Sequence, residues 1–270
     1  MNEIQLLFLA IVLNVPIGLI ARKRKSLSFP GGVIGAAVIG IITFLAHPLI
    51  WGFIVIFFAS STAIGKYKEG SEQKRYAMEY AEKGSERDFL QVIANGGVAT
   101  LFATVILLNF GISKVPITDL YVILAATSIA ASAADTWATE VGTTSNTDPM
   151  WILQPWKRVP KGTSGGVSIR GFIGTALGSL IISLTYFAFS LNWIAFIVFF
   201  GGVAGSLIDT FLGASVQTVY VCETCNKQTE KQLHKCGEMT RKIRGLPFMN
   251  NDMVNFLSGL LACGLVYLII

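Results

Sequence analysis

Charge is scarce in this chain. Only 14% of its 270 residues are charged, whereas 53% are hydrophobic; soluble domains carry about a quarter charged residues. That shortage excludes an ordinary soluble globular domain. A basic segment ahead of the first apolar run is also missing: the chain opens MNEIQ, and RKRK follows the run instead of preceding it. The run is therefore not a convincing signal peptide and reads as a true span, with the N-terminus expected outside. Basic patches interleaved with aromatics are absent, which argues against nucleic acid as a partner. No flexible linker interrupts the sequence, so residues 1–270 are treated as one integral membrane domain.

What the chain has is long apolar runs. Eight are read, at roughly 4–21, 31–47, 49–65, 89–108, 119–140, 171–190, 193–215 and 252–270. Each is near the length of about 20 residues that crosses a bilayer as a helix. The expected fold is all-α, a polytopic bundle of about eight transmembrane helices. The second and third runs share His47-Pro48 and are short enough to form a re-entrant hairpin.

Charge placement orients the bundle. Of 21 Lys and Arg, four lie in 22–25, six in 66–88, four in 157–170 and six in 227–244, and alternating spans put all four groups on one side. Only Lys114 falls opposite. The positive-inside rule makes that side cytoplasmic and both termini external. The net charge of +5 follows from the same loops. The 66–88 loop mixes basic and acidic residues and reads as a solvated or interfacial helix.

A candidate duplication runs through the chain, with parallel halves 1–108 and 119–270. RKRKSLSFPGGVIGAAVIG (22–40) and KRVPKGTSGGVSIRGFIGTALG (157–178) both place basic residues, hydroxyls and Gly-Gly-Val at a helix start. QVIANGGVATL (91–101) and NNDMVNFLSGL (250–260) both place Asn there.

Two apolar runs carry acids. At 100° per residue, Ser128, Ser132, Asp135, Thr136, Thr139 and Glu140 fall within an arc of about 140°, with Trp137 turned away. In the seventh run Gly202, Ser206, Asp209, Thr210, Gly213 and Gln217 share a face, and Ser-x-x-Asp-Thr recurs in both. A single such acid could equally hydrogen-bond a neighbouring helix. Three acids on two matched faces favour a site. Carboxylates near a membrane surface suit Mg²⁺, which takes one or two of them plus water and phosphate oxygens.

Phosphate needs donors as well. Lys157, Arg158, Lys161 and Arg170 accompany Gly162, Gly165 and Gly166, whose backbone can approach an anion, and Thr163, Ser164 and Ser168 add hydroxyls. The order is not that of a Walker A motif; a Gly-rich turn before a tightly packed helix is the structural alternative. Asn95, Asn251, Asp252 and Asn255 lie at the same depth, where Asn commonly caps helices, and are read as a shared cytoplasmic pocket.

The loop 218–250 holds Cys222-x2-Cys225-x8-His234-x-Cys236. Three thiolates and an imidazole make a closed tetrahedral set, so structural Zn²⁺ is expected. A disulfide is not expected in a reducing compartment.

SIAASAADTWATEVG, KGTSGGVSIRG, GSLIDTFLGASVQ and NNDMVNFLSG, with SLSFPGG and QVIANGGVA, resemble the integral membrane family that includes chloroplast phytyl-phosphate kinase and vertebrate transmembrane protein 19. The resemblance runs nearly the whole chain. It implies phosphoryl transfer from a nucleoside triphosphate, CTP in the plant member, to an isoprenyl or phytyl-type monophosphate. In that reading Asp135, Glu140 and Asp209 hold Mg²⁺, while Lys161, Arg158 and the Gly162–Gly166 backbone neutralise charge. A cytidylyltransferase-like enzyme acting on a lipid head group would share the donor. An ion-coupled transporter would use Asp135 and Asp209 near the midplane. A scaffold would leave the matched acids without a purpose.

Overall fold

The computed structural model describes residues 2–67, 69–82, 84, 86–109 and 117–270. Lys68, Lys83 and Lys114, which entered the charge argument, lie outside the described residues. The membrane helices are α1 (Glu3–Lys23), α2 (Gly31–Ala46), α3 (Pro48–Lys66), α5 (Phe89–Asn109), α6 (Ile117–Gly142), α7 (Ile169–Ser190), α8 (Ile194–Ser215) and α9 (Asn251–Tyr267). A short α4 (Glu72–Tyr80) lies between α3 and α5. Among the described residues, six helices have the length and apolarity to span a membrane. The 16-residue α2 would reach about 24 Å at 1.5 Å per residue, short of a hydrocarbon core of about 30 Å. The 17-residue α9 opens on polar Asn251 and Asp252.

Local chemistry fixes the helix ends. Asn2 and Gln5 form a reciprocal capping box on α1. His47 Nδ1 accepts from Leu49 N–H at 3.3 Å, and Pro48 supplies a first helical position that needs no N–H donor. Ser168 and Asn250 cap α7 and α9. Inside the bundle, Asn14 of α1 is buried, donates to Ala10 O at 2.8 Å and accepts from Trp51 Nε1 at 2.9 Å. Its polar group is therefore satisfied where no water is available.

α6 is the central helix. Buried residues make up 72% of its apolar window, against at most 39% in the other spans. It packs against α3, α5, α7, α8 and α9. Small residues permit this: a Cβ at Gly178 would sit 2.7 Å from the Ala133 carbonyl carbon, and one at Gly202 would sit 2.9 Å from that of Ala130. Such close backbone approach is how helices associate where lipid supplies no hydrophobic drive. Elsewhere α2 packs on α1 and α5, and α9 packs on α5 and α8.

All long connections gather at one face. The α6–α7 connection folds as β1 (Met150–Trp151), β2 (Gln154–Arg158) and β3 (Gly166–Val167), antiparallel in order β2-β1-β3. The α8–α9 connection folds as β4 (Val219–Cys222), β5 (Lys227–Thr229) and β6 (Arg241–Arg244), in order β5-β4-β6. Arg244 ties the sheets together, stacking 5.6 Å from the Trp151 ring and donating to Gly213 O at 3.2 Å. Ser28 N–H donates to Arg87 O at 2.9 Å and Arg87 N–H to Ser26 O at 3.1 Å, which joins the α1–α2 connection to the same face.

Gly165 shows how tightly this face is packed on the bundle. Its φ is +86°, and an added Cβ would lie 2.8 Å from Ala214 Cα. Gly165→Ala therefore combines left-handed strain with a backbone clash, and a loss of about 2–4 kcal/mol is expected. Thermal unfolding in detergent should show a clear drop in midpoint; an unchanged midpoint would contradict this packing.

Candidate functional site

Beneath the loop face lies a polar cavity of about 590 Å³. Its floor is built by α6 and α8. Asp135 of α6 and Asp209 of α8 both line it. Asp209 is held from α9, accepting from Ser258 Oγ at 3.0 Å and from the Asn255 amide nitrogen at 2.9 Å when that amide is turned to donate. Two carboxylates facing one cavity favour a proton or a cation near them.

The α8 stripe reaches the cavity with Ser206, Asp209, Thr210, Gly213 and Gln217. The α6 stripe divides. Asp135, Thr139 and Glu140 line the cavity, whereas Ser128 and Ser132 turn to backbone carbonyls, those of Ala125 at 2.9 Å and Asn95 at 3.0 Å. Glu140 stands apart from the aspartates. It pairs with Lys74 Nζ at 2.7 Å, and Lys74, buried, also donates to Gly65 O at 2.8 Å.

The Gly-rich segment forms one wall. Lys161, Gly162, Thr163, Ser164, Gly165, Gly166 and Ser168 all line the cavity. The buried Thr163 hydroxyl has no hydrogen-bond partner among the described residues. Ser168 is occupied as the α7 cap. Arg158 is elsewhere, on β2, donating to Asp148 O at 2.9 Å. Asn251 lines the polar cavity, and Asp252 is buried in the first turn of α9, where the helix dipole favours a carboxylate. Asn95 lines a second, mainly apolar cavity of about 190 Å³ between α1, α2, α3 and α5. Arg87 borders both cavities, and burial lowers its pKa while Glu140 opposes the shift.

Three contributors escape sequence reasoning: Lys74, Arg87 and Glu230. α4 is more than a solvated helix, because Lys74, Ala77 and Tyr80 form a buried face. The small Ala77 and Ala81, three and seven residues beyond Lys74, were the only hint of that face.

Glu230 follows β5 and turns into the wall, accepting from Ser164 Oγ and from Gln217 Nε2 at 2.9 Å. Burial pushes its carboxyl up to about 7, with the Ser164 hydroxyl and Glu82 backbone N–H opposing the shift. The Glu82 charge raises it further, and Arg244 lowers it. A carboxyl raised above its usual 4.5 favours the folded wall while protonated and loses that contribution as pH rises from about 4.5 to about 7. The wall is expected to be tighter at pH 5.5 than at pH 7.5. Glu230→Gln should flatten that dependence in limited proteolysis of the loop face; an unaltered pH dependence would reject the assignment.

The Cys/His loop forms a separate cluster. Ligand atoms of Cys222, Cys225, His234 and Cys236 all lie within 4.8 Å of one another, the only such His/Cys/Asp/Glu group among the described residues. Cys222 Sγ and Cys236 Sγ are 3.6 Å apart, and His234 Nδ1 is 3.1 Å from Cys236 Sγ. A tetrahedral site with metal–sulfur bonds of about 2.3 Å has sulfur–sulfur edges of about 3.7 Å, so the donor set fits a metal ion. His234 beside it draws the Cys236 thiol down to about 6, whereas neighbouring sulfurs push Cys225 up to about 11. A dication would replace the protons those sulfurs otherwise share.

The comparisons agree with this architecture. Protein PGR of Arabidopsis thaliana is 29% identical over 275 residues, covering 94% of this chain and 93% of that protein. An uncharacterised membrane protein of Methanocaldococcus jannaschii is 30% identical over 212 residues, covering 77% and 82% respectively. No solved structure matches. Residues 12–263 match the family described as Integral membrane protein DUF92, in agreement with the resemblance carried by the Ser-x-x-Asp-Thr and Gly-rich motifs, and the chain belongs to that family.

Proposed function

We propose that this protein transfers a phosphoryl group from a nucleoside triphosphate, CTP foremost, to an isoprenyl-type monophosphate, giving the lipid diphosphate at the cytoplasmic face. The observation that carries the reading is that Asp135 and Asp209 line one cavity beneath a Gly-rich, partly basic wall. The two carboxylates would hold Mg²⁺, which supplies charge neutralisation on the triphosphate when bound. Lys161 and the backbone around Gly162 and Gly165 would cradle phosphate oxygens, with Thr163 Oγ1 as a further donor. The acceptor is an ionised phosphate, so no strong base is required. Arg87 borders the apolar cavity and would meet the lipid phosphate while the hydrocarbon chain stays among the helices. Glu140, committed to Lys74, fixes α4 as the opposite wall. In the Cys/His cluster we propose structural Zn²⁺, because four protein ligands leave no open position.

Purified protein given geranylgeranyl or phytyl monophosphate, CTP and Mg²⁺ should release CDP and lipid diphosphate. Release of pyrophosphate with a nucleotide-linked lipid would indicate the cytidylyltransferase alternative. Absence of either product across prenyl phosphates and nucleotides would reject both.

A further inference from the structure

The Cys/His module and Glu230 belong to one connection, between α8 and α9. Residues 223–228 and 235–239 are exposed, and the large apolar side chains nearby, Leu233 and Met239, are 57% and 71% exposed. No hydrophobic core holds this module, so its fold depends on what its four ligands bind. Its contacts with the rest of the protein are nevertheless specific. Thr229, fully buried, donates through Oγ1 to Tyr80 O at 3.0 Å, and Glu230 N–H donates to the same carbonyl at 2.9 Å. The Glu230 side chain then takes hydrogen bonds from Ser164, in the Gly-rich wall, and Gln217, after the end of α8.

We propose that the metal-loaded Cys222/Cys225/His234/Cys236 module is a positioning arm that seats Glu230 against Ser164 and Gln217, so that metal binding in the module fixes the Gly162–Gly166 wall of the polar cavity. The arm begins at Cys222, where β4 pairs with Lys227 of β5, and closes through His234 and Cys236. Thr229 and Glu230 lie between these two ligand pairs. Without the metal, the segment keeps the β4–β5 ladder and local bonds such as Thr240 N–H to Gln232 O at 2.9 Å and His234 N–H to Glu238 O at 2.9 Å. It also keeps the exposed Lys227 and Lys235 pairs to Glu79, which are worth little in water. A buried acid held by so short an arm leaves its seat readily when the arm loosens. Ser164 then loses its partner, and the wall loses its tie to Tyr80 of α4.

This inference rests on the metal reading of the cluster but not on the phosphoryl-transfer reading. The test uses the full chain in detergent with Mg²⁺ in excess. Zinc content is measured first, then hydrogen exchange before and after a soft-metal-selective chelator, and again after adding Zn²⁺. One zinc per chain is expected. Its removal should speed exchange at 160–168 by about tenfold as well as at 222–240, leaving 171–190 unchanged, and zinc should reverse this. Glu230→Ala should loosen 160–168 while zinc stays bound at one per chain, an outcome that a purely local metal knot would not give. Loosening confined to 222–240, or an unchanged wall in Glu230→Ala, would overturn the coupling. A protein that binds no Zn²⁺ even when supplied with it would overturn the metal reading itself.

Discussion

Asp135→Asn is expected to make the protein more stable and to abolish the proposed phosphoryl transfer. Asp135 on the central α6 and Asp209 on α8 line the same cavity. Two unit charges about 4 Å apart repel by about 4 kcal/mol at an effective dielectric constant of 20. No fold would select such a pair for stability alone. An Asn at 135 removes the repulsion, and the thermal midpoint should rise by several degrees. The same change removes half of the proposed cation floor, and turnover should fall by about 10³-fold or more. Asp209→Asn should be as inactive but less stabilised. Both Ser258 Oγ and the Asn255 amide aim donors at Asp209 Oδ2, and a neutral amide oxygen there accepts both less strongly than a carboxylate does. Paired thermal unfolding and turnover assays measure the trade-off. Normal turnover in Asp135→Asn would remove it from the floor, and a large fall in its midpoint would contradict the repulsion argument.

Much of this architecture is legible in the sequence because two of its coordinates are one-dimensional. Apolar length gives the helices, and cation clustering sorts the loops to one side. The 100° arithmetic also places Asp135 and Asp209 on the polar stripes of α6 and α8, and both stripes reach the cavity. What it cannot supply is azimuth between helices that are distant in sequence. Asn95, Asp252 and Asn255 share a depth with Asn251, yet only Asn251 lines the polar cavity. Asn95 faces the apolar cavity, and Asn255 serves Asp209 from behind. Arg158 was expected beside the phosphate wall, but the pairing of Met150 with Arg158 commits it to an exposed strand. Glu230 was invisible because it reaches the cavity from a loop whose recognisable signal is its cysteines. Lys74 was hidden for another reason. A loop rich in both signs reads as solvated, although one cation in it is buried.

Lys74 also decides the role of Glu140, which sequence reasoning assigned to Mg²⁺. Its side chain is 6% exposed and that of Glu140 is 31%, so the two partners are not equivalent. Glu140→Gln leaves a buried ammonium with Gly65 O as its remaining strong acceptor, and a loss of about 3 kcal/mol is expected. Lys74→Met leaves a carboxylate that can hydrate, and should cost less. The double variant Lys74→Met/Glu140→Gln removes both charges and should recover to within about 1 kcal/mol of the native protein. If Glu140 acts only by holding α4 in place, the double variant keeps the native Mg²⁺ dependence while Asp135→Asn does not. A shifted Mg²⁺ half-saturation in the double variant, with stability restored, would place Glu140 on the cation instead. The two roles make opposite demands on one side chain. Glu140 Oε2 is 2.7 Å from a buried lysine, and a cation on the same carboxylate would compete with Lys74 for its charge, which favours the ion pair.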